Sequence, residues 1–225
     1  MAAAFVQAKA TVNNTNATTI AATWDSNTTT GNLIALYVQW AGTTVTISSI
    51  TDSQSNTYTL IAAEHPSNRD TAALYYATNI TGGTTPTVTV TFSATIGSRR
   101  LIIHEASGLA TSSPFDQYAI NYVIVTAADF STSSRTTTAD GEYIFGGTAD
   151  LGYTSTATAV APFTQRIQAA QGTTSEDQIQ ATAGSVAATF HQNGTSIEHL
   201  LGMATFKVPA AVTLKGTTFS LMGVG

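Results

Sequence analysis

The stretch TPTVTVTFSA, residues 85–94, alternates between apolar and polar side chains. Val88, Val90 and Phe92 occupy one set of alternate positions, and threonine or serine occupies the other. Because successive side chains of a β-strand point to opposite faces, this pattern predicts a strand with one buried face and one hydroxyl-covered face. Similar runs recur between Gly-, Pro-, Asn- and Asp-rich turn sequences, and no long segment keeps helical spacing. We therefore expect an all-β protein.

Three segments recur, in the same order, in the two halves of the chain. The pairs are GNLIAL (31–36) with GEYIFG (141–146), YTLIAA (58–63) with FTQRIQAA (163–170), and TVTVTFSATIGSRRLII (87–103) with SVAATFHQNGTSIEHLL (185–201). A unit of a few strands is commonly completed by its twin, giving two sheets packed face to face. The sequence predicts a single antiparallel two-sheet β-sandwich, jelly-roll-like, over residues 1–208. Its halves span about 1–110 and 111–208, and 209–225 form a β-prone C-terminal extension.

The composition is unusually poor in charge. Charged residues make up 9% of the chain and the net charge is −5, whereas an ordinary domain has about 25% charged residues. Threonine, roughly a fifth of the chain, takes their place. The scattered basic residues form no patch for nucleic acid, and no segment is apolar enough for a membrane span, so we expect neither partner. The absence of cysteine excludes disulfides and thiol chemistry.

Four stretches resemble a known family. They are SNTTTGNLIALYVQW (26–40), SSITDSQSNTYTL (48–60), LYYATNITGGTTPTVTVTFS (74–93) and MATFK (203–207). Together they are similar to Thr/Ser-rich β-sandwich modules found in bacterial surface or secreted proteins and in phage virion proteins. The resemblance covers roughly residues 5–207. It implies a jelly-roll or lectin-like sandwich and brings no catalytic residues.

Two histidine–carboxylate pairs are the first candidates for chemistry. His104 precedes Glu105, and Glu198 precedes His199, near the ends of corresponding strands in the two halves. Adjacent strand residues face opposite sides, so neither pair converges on one site. No hydrolase, Walker or dinucleotide motif occurs. We predict structural roles for these residues, no catalytic residues and no enzyme activity.

Several carboxylates resemble cation ligands in loops. The run DSQSN, from Asp52 to Asn56, begins like a calcium loop but lacks the glycine and the closing glutamate. Glu176 lies beside Asp177, and ADGEY (139–143) holds two further acids. We interpret DSQSN as a hydrogen-bonded turn and the others as solvated turns, and expect no metal and no cofactor.

Aromatic residues offer an alternative, since rings stack on the apolar faces of sugars. Trp24, Trp40 and Tyr76 are the candidate stacking residues for a glycan. The competing interpretation is that most of the rings fill the core or its rim.

The polar surface and the sheet edges favour assembly. Two neutral surfaces meet without stripping water from ions. Edge strands are commonly guarded by lysine, proline or bulges, and this chain has three lysines. Apolar residues of the extension are candidate assembly contacts: Val212, Leu214, Phe219, Leu221 and Met222.

These features predict a non-enzymatic structural subunit, a phage virion protein such as a capsid decoration or tail component. Its partners would be copies of itself and other virion proteins. Because the chain starts at Met1 without a basic leader, we expect a virion protein assembled in the host cytoplasm. The alternative is a carbohydrate-binding or adhesive module of a bacterial surface protein, located outside the cell.

Overall fold

Strands connected by turns account for the regular structure in the computed structural model, which describes residues 2–65, 69–151, 156–193 and 197–210. Those residues contain no helix. Within them, the first half contains eight strands: β1 (Ala4–Asn13), β2 (Ala17–Thr23), β3 (Leu33–Ala41), β4 (Ile47–Asp52), β5 (Thr59–Glu64), β6 (Asp70–Ala77), β7 (Thr87–Ile96) and β8 (Arg99–Ser107). The described part of the second half contains ten: β9 (Phe115–Val125), β10 (Asp129–Ser131), β11 (Arg135–Thr136), β12 (Glu142–Asp150), β13 (Ala157–Ala159), β14 (Thr164–Gln168), β15 (Thr174–Gln180), β16 (Ser185–Val186), β17 (Thr189–Gln192) and β18 (Ile197–Phe206).

The strands pair antiparallel in five sheets. Inner sheet I has the order β1-β8-β3-β6-β5, and outer sheet I has the order β2-β7-β4. Inner sheet II has the order β14-β15-β12-β18-β9, and outer sheet II has the order β10-β17-β13. The remaining sheet is the short pair β11-β16, and Val186 of β16 packs in the core of the second half.

The two halves repeat one topology. Reading inner sheet II from β9 gives β9-β18-β12-β15-β14, which matches inner sheet I strand for strand, and β10-β17-β13 matches β2-β7-β4. All three sequence similarities fall on equivalent strands: β3 with β12, β5 with β14, and β7–β8 with β16–β18. The predictions of an all-β fold, of antiparallel sheets packed as a sandwich and of two similar halves are confirmed.

Apolar side chains fill three spaces between the sheets. Outer sheet I and inner sheet I enclose Leu36 and Val90, and the second half encloses Ile144 and Phe190 in the same way. The third cluster, which includes Tyr37, packs the two inner sheets against each other. The sheets therefore stack in the sequence outer I, inner I, inner II, outer II.

This stacking differs from the predicted pair of sheets, because each half closes its own sandwich. The cause is visible in β3, where Ile34 and Leu36 face outer sheet I while Leu33 and Tyr37 face inner sheet II. A strand with apolar side chains on both faces has to be covered on both sides. The inner strands are therefore the middle layers of the molecule.

The edge strands are better protected than the lysine count predicted. Register shifts typical of β-bulges occur in β1, β4, β5 and β14, each at the edge of its sheet. A bulge disrupts the ladder and twists the strand, so it hinders the addition of a further strand. The expectation of weakly guarded edges is wrong for these four strands, and faces are the more suitable contact surfaces.

Candidate functional site

The rings proposed for sugar stacking lie inside the protein. Trp24 and Trp40 are each 2% exposed and belong to the core of the first half. The Trp40 indole donates a hydrogen bond to the Val45 carbonyl (2.9 Å). Tyr76 is half-buried where the halves meet, with its ring centroid 6.3 Å from that of Phe115. Trp24 and Trp40 therefore offer no ring face to a glycan, because both are needed to fill the sandwich.

The two histidine–carboxylate pairs do not form a joint site, as strand geometry predicts. His104 points into the space between the inner sheets, where its Nδ1 lies 2.9 Å from the Tyr143 hydroxyl. Glu105 points the other way and accepts a hydrogen bond from the Asn32 amide (2.6 Å). In the second half, the His199 ring stacks on Phe130 at 4.4 Å, away from its neighbour Glu198.

A buried polar network connects the inner sheets through His104. The Ser175 hydroxyl lies 2.7 Å from His104 Nε2, and the Tyr143 hydroxyl donates to Asp177 Oδ2 (3.0 Å). Because a carboxylate only accepts, the Tyr143 oxygen is free to accept from His104 Nδ1–H, and Nε2 then accepts from Ser175. Arg166 completes the network with two nitrogens on Asp177 (2.9–3.1 Å).

This serine–histidine–tyrosine–aspartate order resembles the triad of a hydrolase, but its environment opposes catalysis. Ser175 and His104 are fully buried, so no substrate reaches the hydroxyl. Burial, with a smaller contribution from the Arg166 charge, lowers the His104 pKa to about 3. A general base works best with a pKa near the ambient pH, so this imidazole is poorly suited to the role. The network holds the two halves in register.

Asp177→Asn should destabilise the protein by about 1–2 kcal/mol, because Arg166 and Tyr143 lose a charged acceptor. The Arg166 side chain is 28% exposed, and water reaching it moderates the cost. Urea unfolding measures the effect. The matched control is Asp25→Asn, which removes a surface ion pair with Lys9 (2.6 Å) and should cost no more than about 0.5 kcal/mol. Equal costs for the two variants would contradict a structural role for the network.

The candidate cation ligands are engaged in other interactions. Asp52 Oδ1 accepts the backbone N–H groups of Gln54 (2.9 Å) and Asn56 (3.0 Å), which agrees with the hydrogen-bonded turn expected for this run. Burial alone would raise the Asp52 pKa, but hydrogen bonds from Asn56 and Tyr58 outweigh it, and the pKa is lowered. No group of three or more potential metal ligands occurs among the described residues.

The other acidic candidates differ from the solvated turns that were expected. Glu176 and Asp177 are both buried on β15, on opposite faces of the strand. Glu142 is buried and accepts the Ala139 N–H (3.0 Å), whereas Asp140 accepts the Ala183 N–H (2.7 Å). The solvated-turn interpretation is therefore wrong for Glu142, Glu176 and Asp177, since all three acids belong to strands with two covered faces.

The outward face of outer sheet I is a hydroxyl surface without charge. In the strand register, Thr91 of β7 lies between Thr19 of β2 and Ser49 of β4. The next rows place Thr89 between Ala21 and Thr51, and Thr87 beside Thr23. The Thr87 and Thr23 hydroxyls hydrogen-bond at 2.8 Å. We call these eight residues the hydroxyl face. It contains the threonines of the alternating pattern in β7.

Described residues of the first half line a depression at each of its two ends. A groove of about 560 Å³ lies beside Asn32, Leu109 and Pro209. A cleft of about 310 Å³ lies between β4 and β5, beside Trp40 and Leu60. The groove is lined by no carboxylate or histidine, and the cleft by a single histidine, His65, and no carboxylate, which gives little support to an active site in either place.

The five predicted assembly residues of the extension, from Val212 to Met222, lie outside the described residues.

Searches for a matching family, a similar curated protein and a similar solved structure found no match. In the described part of the chain, no helix has the length and apolarity needed to cross a membrane.

Proposed function

We propose that the protein is a non-enzymatic structural subunit of an assembly, in the form of a phage virion protein such as a capsid decoration or tail component. It would pack against copies of itself and against other virion proteins, inside the host cell where the particle forms. The hydroxyl face carries this proposal. Its eight outward positions are threonine, serine or alanine, and none bears a charge.

Packing this face against another protein surface requires little desolvation. Burying an ion costs several kcal/mol unless it is well paired, whereas hydroxyls exchange water for hydrogen bonds at modest net cost. The bulge of β4 points to the same mode of contact, since it disfavours continuation of the sheet at that edge. Association through the hydroxyl face does not require a strand of another copy to pair with the edge strands of outer sheet I.

A second candidate, a carbohydrate-binding or adhesive module, has less support. It needs exposed rings, and Trp24 and Trp40 are in the core. No observation on the described residues favours it over assembly.

The mass of the protein in solution tests the proposal. We expect the mean mass to rise with concentration, and Thr89→Glu, at the centre of the hydroxyl face, to suppress this rise because the buried carboxylate lacks a partner. Sedimentation equilibrium over a wide concentration range measures both. The control is Thr111→Glu, an exposed position between β8 and β9, which should associate like the parent chain. A monomeric mass at every concentration would overturn the proposal.

A further inference from the structure

The cleft between β4 and β5 is the open side of the first sandwich. These edge strands belong to different sheets and do not pair, so a cleft opens between them beside the buried Trp40. Trp40, Val45, Ile47, Leu60 and Tyr75 contribute apolar atoms to the walls. Leu60 is 51% exposed, so its side chain forms part of the rim of the cleft.

The equivalent side of the second sandwich is closed by polar contacts. There, β13 and β14 are bridged by hydrogen bonds from the Gln168 amide to the Ala157 carbonyl (3.0 Å) and from the Ala159 N–H to Gln165 Oε1 (3.1 Å). Because the two halves share one topology, an apolar opening is not an unavoidable result of the fold. The first half has apolar side chains where the second has bridging glutamines.

We infer that this cleft binds the segment 211–225 of a second copy of the chain, an inference that rests on the proposed function. The segment reads AVTLKGTTFSLMGVG, and Phe219 and Leu221 are two residues apart, so an extended segment presents both on one face. The cleft volume of about 310 Å³ is roughly twice that of a cavity that holds benzene, which suits two bulky side chains.

The position where the described chain ends indicates that the segment in the cleft comes from a second copy and not from the same chain. Pro209 lies in the groove with Asn32, whereas the cleft lies beside Trp40, at the other end of β3. Eight strand residues separate Asn32 from Trp40, about 26 Å. Phe219 follows Ala210 by nine residues, which span at most about 32 Å when fully extended. For Phe219 to reach the cleft of its own chain, residues 210–219 would have to run almost straight. Binding in the cleft of a second copy imposes no such restriction.

Disulfide trapping tests the inference directly, because the chain has no cysteine of its own. Leu60→Cys chains are mixed with Phe219→Cys chains under oxidising conditions, and a covalent dimer containing both is expected if the two residues meet across copies. Ile179→Cys, at a similarly exposed position on β15, replaces Leu60→Cys in the control mixture and should give little such dimer. Leu60 is on the rim, so its replacement leaves the core intact.

A single variant gives an independent readout. Phe219→Ser should weaken self-association about tenfold or more, since it removes a large apolar side chain from the contact. If the parent chain associates but the mixture yields no specific dimer and Phe219→Ser has no effect, the cleft inference fails and the proposed function stands. A doubly substituted chain that crosslinks only within itself overturns the second-copy assignment. A parent chain that never associates refutes the proposed function itself.

Discussion

Glu176→Gln should stabilise the protein at alkaline pH and remove most of its loss of stability above neutrality. The Glu176 side chain is fully buried; Oε1 accepts the Thr189 N–H (2.8 Å), and Oε2 has no hydrogen-bond partner among the described residues. Burial, reinforced by the Asp177 charge and opposed by the Thr189 hydrogen bond, raises the Glu176 pKa to about 9. The folded protein therefore keeps a proton on this carboxyl at pH values where the unfolded chain has lost it.

The sign of the effect follows from proton binding. With an ordinary pKa of 4.5 in the unfolded chain and about 9 in the folded protein, Glu176 should lower stability by roughly 1.4 kcal/mol per pH unit across that interval. The contribution is complete below pH 4.5 and is lost as pH rises through the folded-state pKa. Glutamine keeps the shape and the carbonyl acceptor but does not ionise, so the variant should lack this dependence.

Two buried histidines give stability the opposite pH dependence, because they make it fall as the pH is lowered. Burial lowers the pKa of His104 to about 3 and that of His199 to about 4, against 6.5 for an ordinary histidine. The unfolded chain takes up these protons as pH falls below 6.5, and stability is lost. We therefore expect maximal stability near pH 6.5 in the parent protein, and in Glu176→Gln the acid loss without the alkaline one.

Urea unfolding at about pH 5, 6.5 and 8.5 measures the change. Between the two higher values the parent should lose roughly 2–3 kcal/mol and the variant much less. The matched control is Glu198→Gln, which removes a surface ion pair with Arg69 and should shift stability by less than about 1 kcal/mol at each pH. An alkaline loss in Glu176→Gln as steep as in the parent would show that this carboxyl is not the protonated group.

The sequence was most informative where a strand has one covered face. The alternation of β7 correctly placed Val88, Val90 and Phe92 in the core and the threonines between them on the surface. The internal similarity correctly identified equivalent strands, because strand order is preserved even where loops change length. Fold class and repeat were therefore accessible from side-chain pattern alone.

Strands with two covered faces were harder to interpret. The run LIALYVQW in β3 is almost continuously apolar, which indicates a strand covered on both faces, and a single pair of sheets does not provide that cover. The network of His104, Tyr143, Ser175 and Asp177 was inaccessible for a different reason. Its members are far apart in sequence and meet only because the two inner sheets face each other.

The contact between the halves depends on two glycines that accommodate Tyr37. Gly147 of β12 and Gly202 of β18 lie opposite each other in the strand register. The Tyr37 ring packs onto them, and its hydroxyl donates to the Leu200 carbonyl (2.9 Å). A Cβ at position 202 would lie 2.8 Å from Tyr37 Cδ2 and 3.1 Å from Leu74 Cδ2. Neither ring nor leucine has room to withdraw, because both are fully buried.

Gly202→Ala should therefore cost roughly 2–3 kcal/mol, at the upper end of the usual penalty for overpacking. Urea unfolding at constant pH measures it, and Gly184→Ala is the matched control. A Cβ at position 184 meets nothing nearer than 3.6 Å, so the control should lie within about 0.5 kcal/mol of the parent. In a Tyr37→Leu background, Gly202→Ala should lower the free energy of unfolding by less, because the tyrosine ring that the added methyl group would displace is absent. If Gly202→Ala were equally destabilising in the Tyr37→Leu background, or no more destabilising than Gly184→Ala, the glycine pair would not set the distance between the two halves.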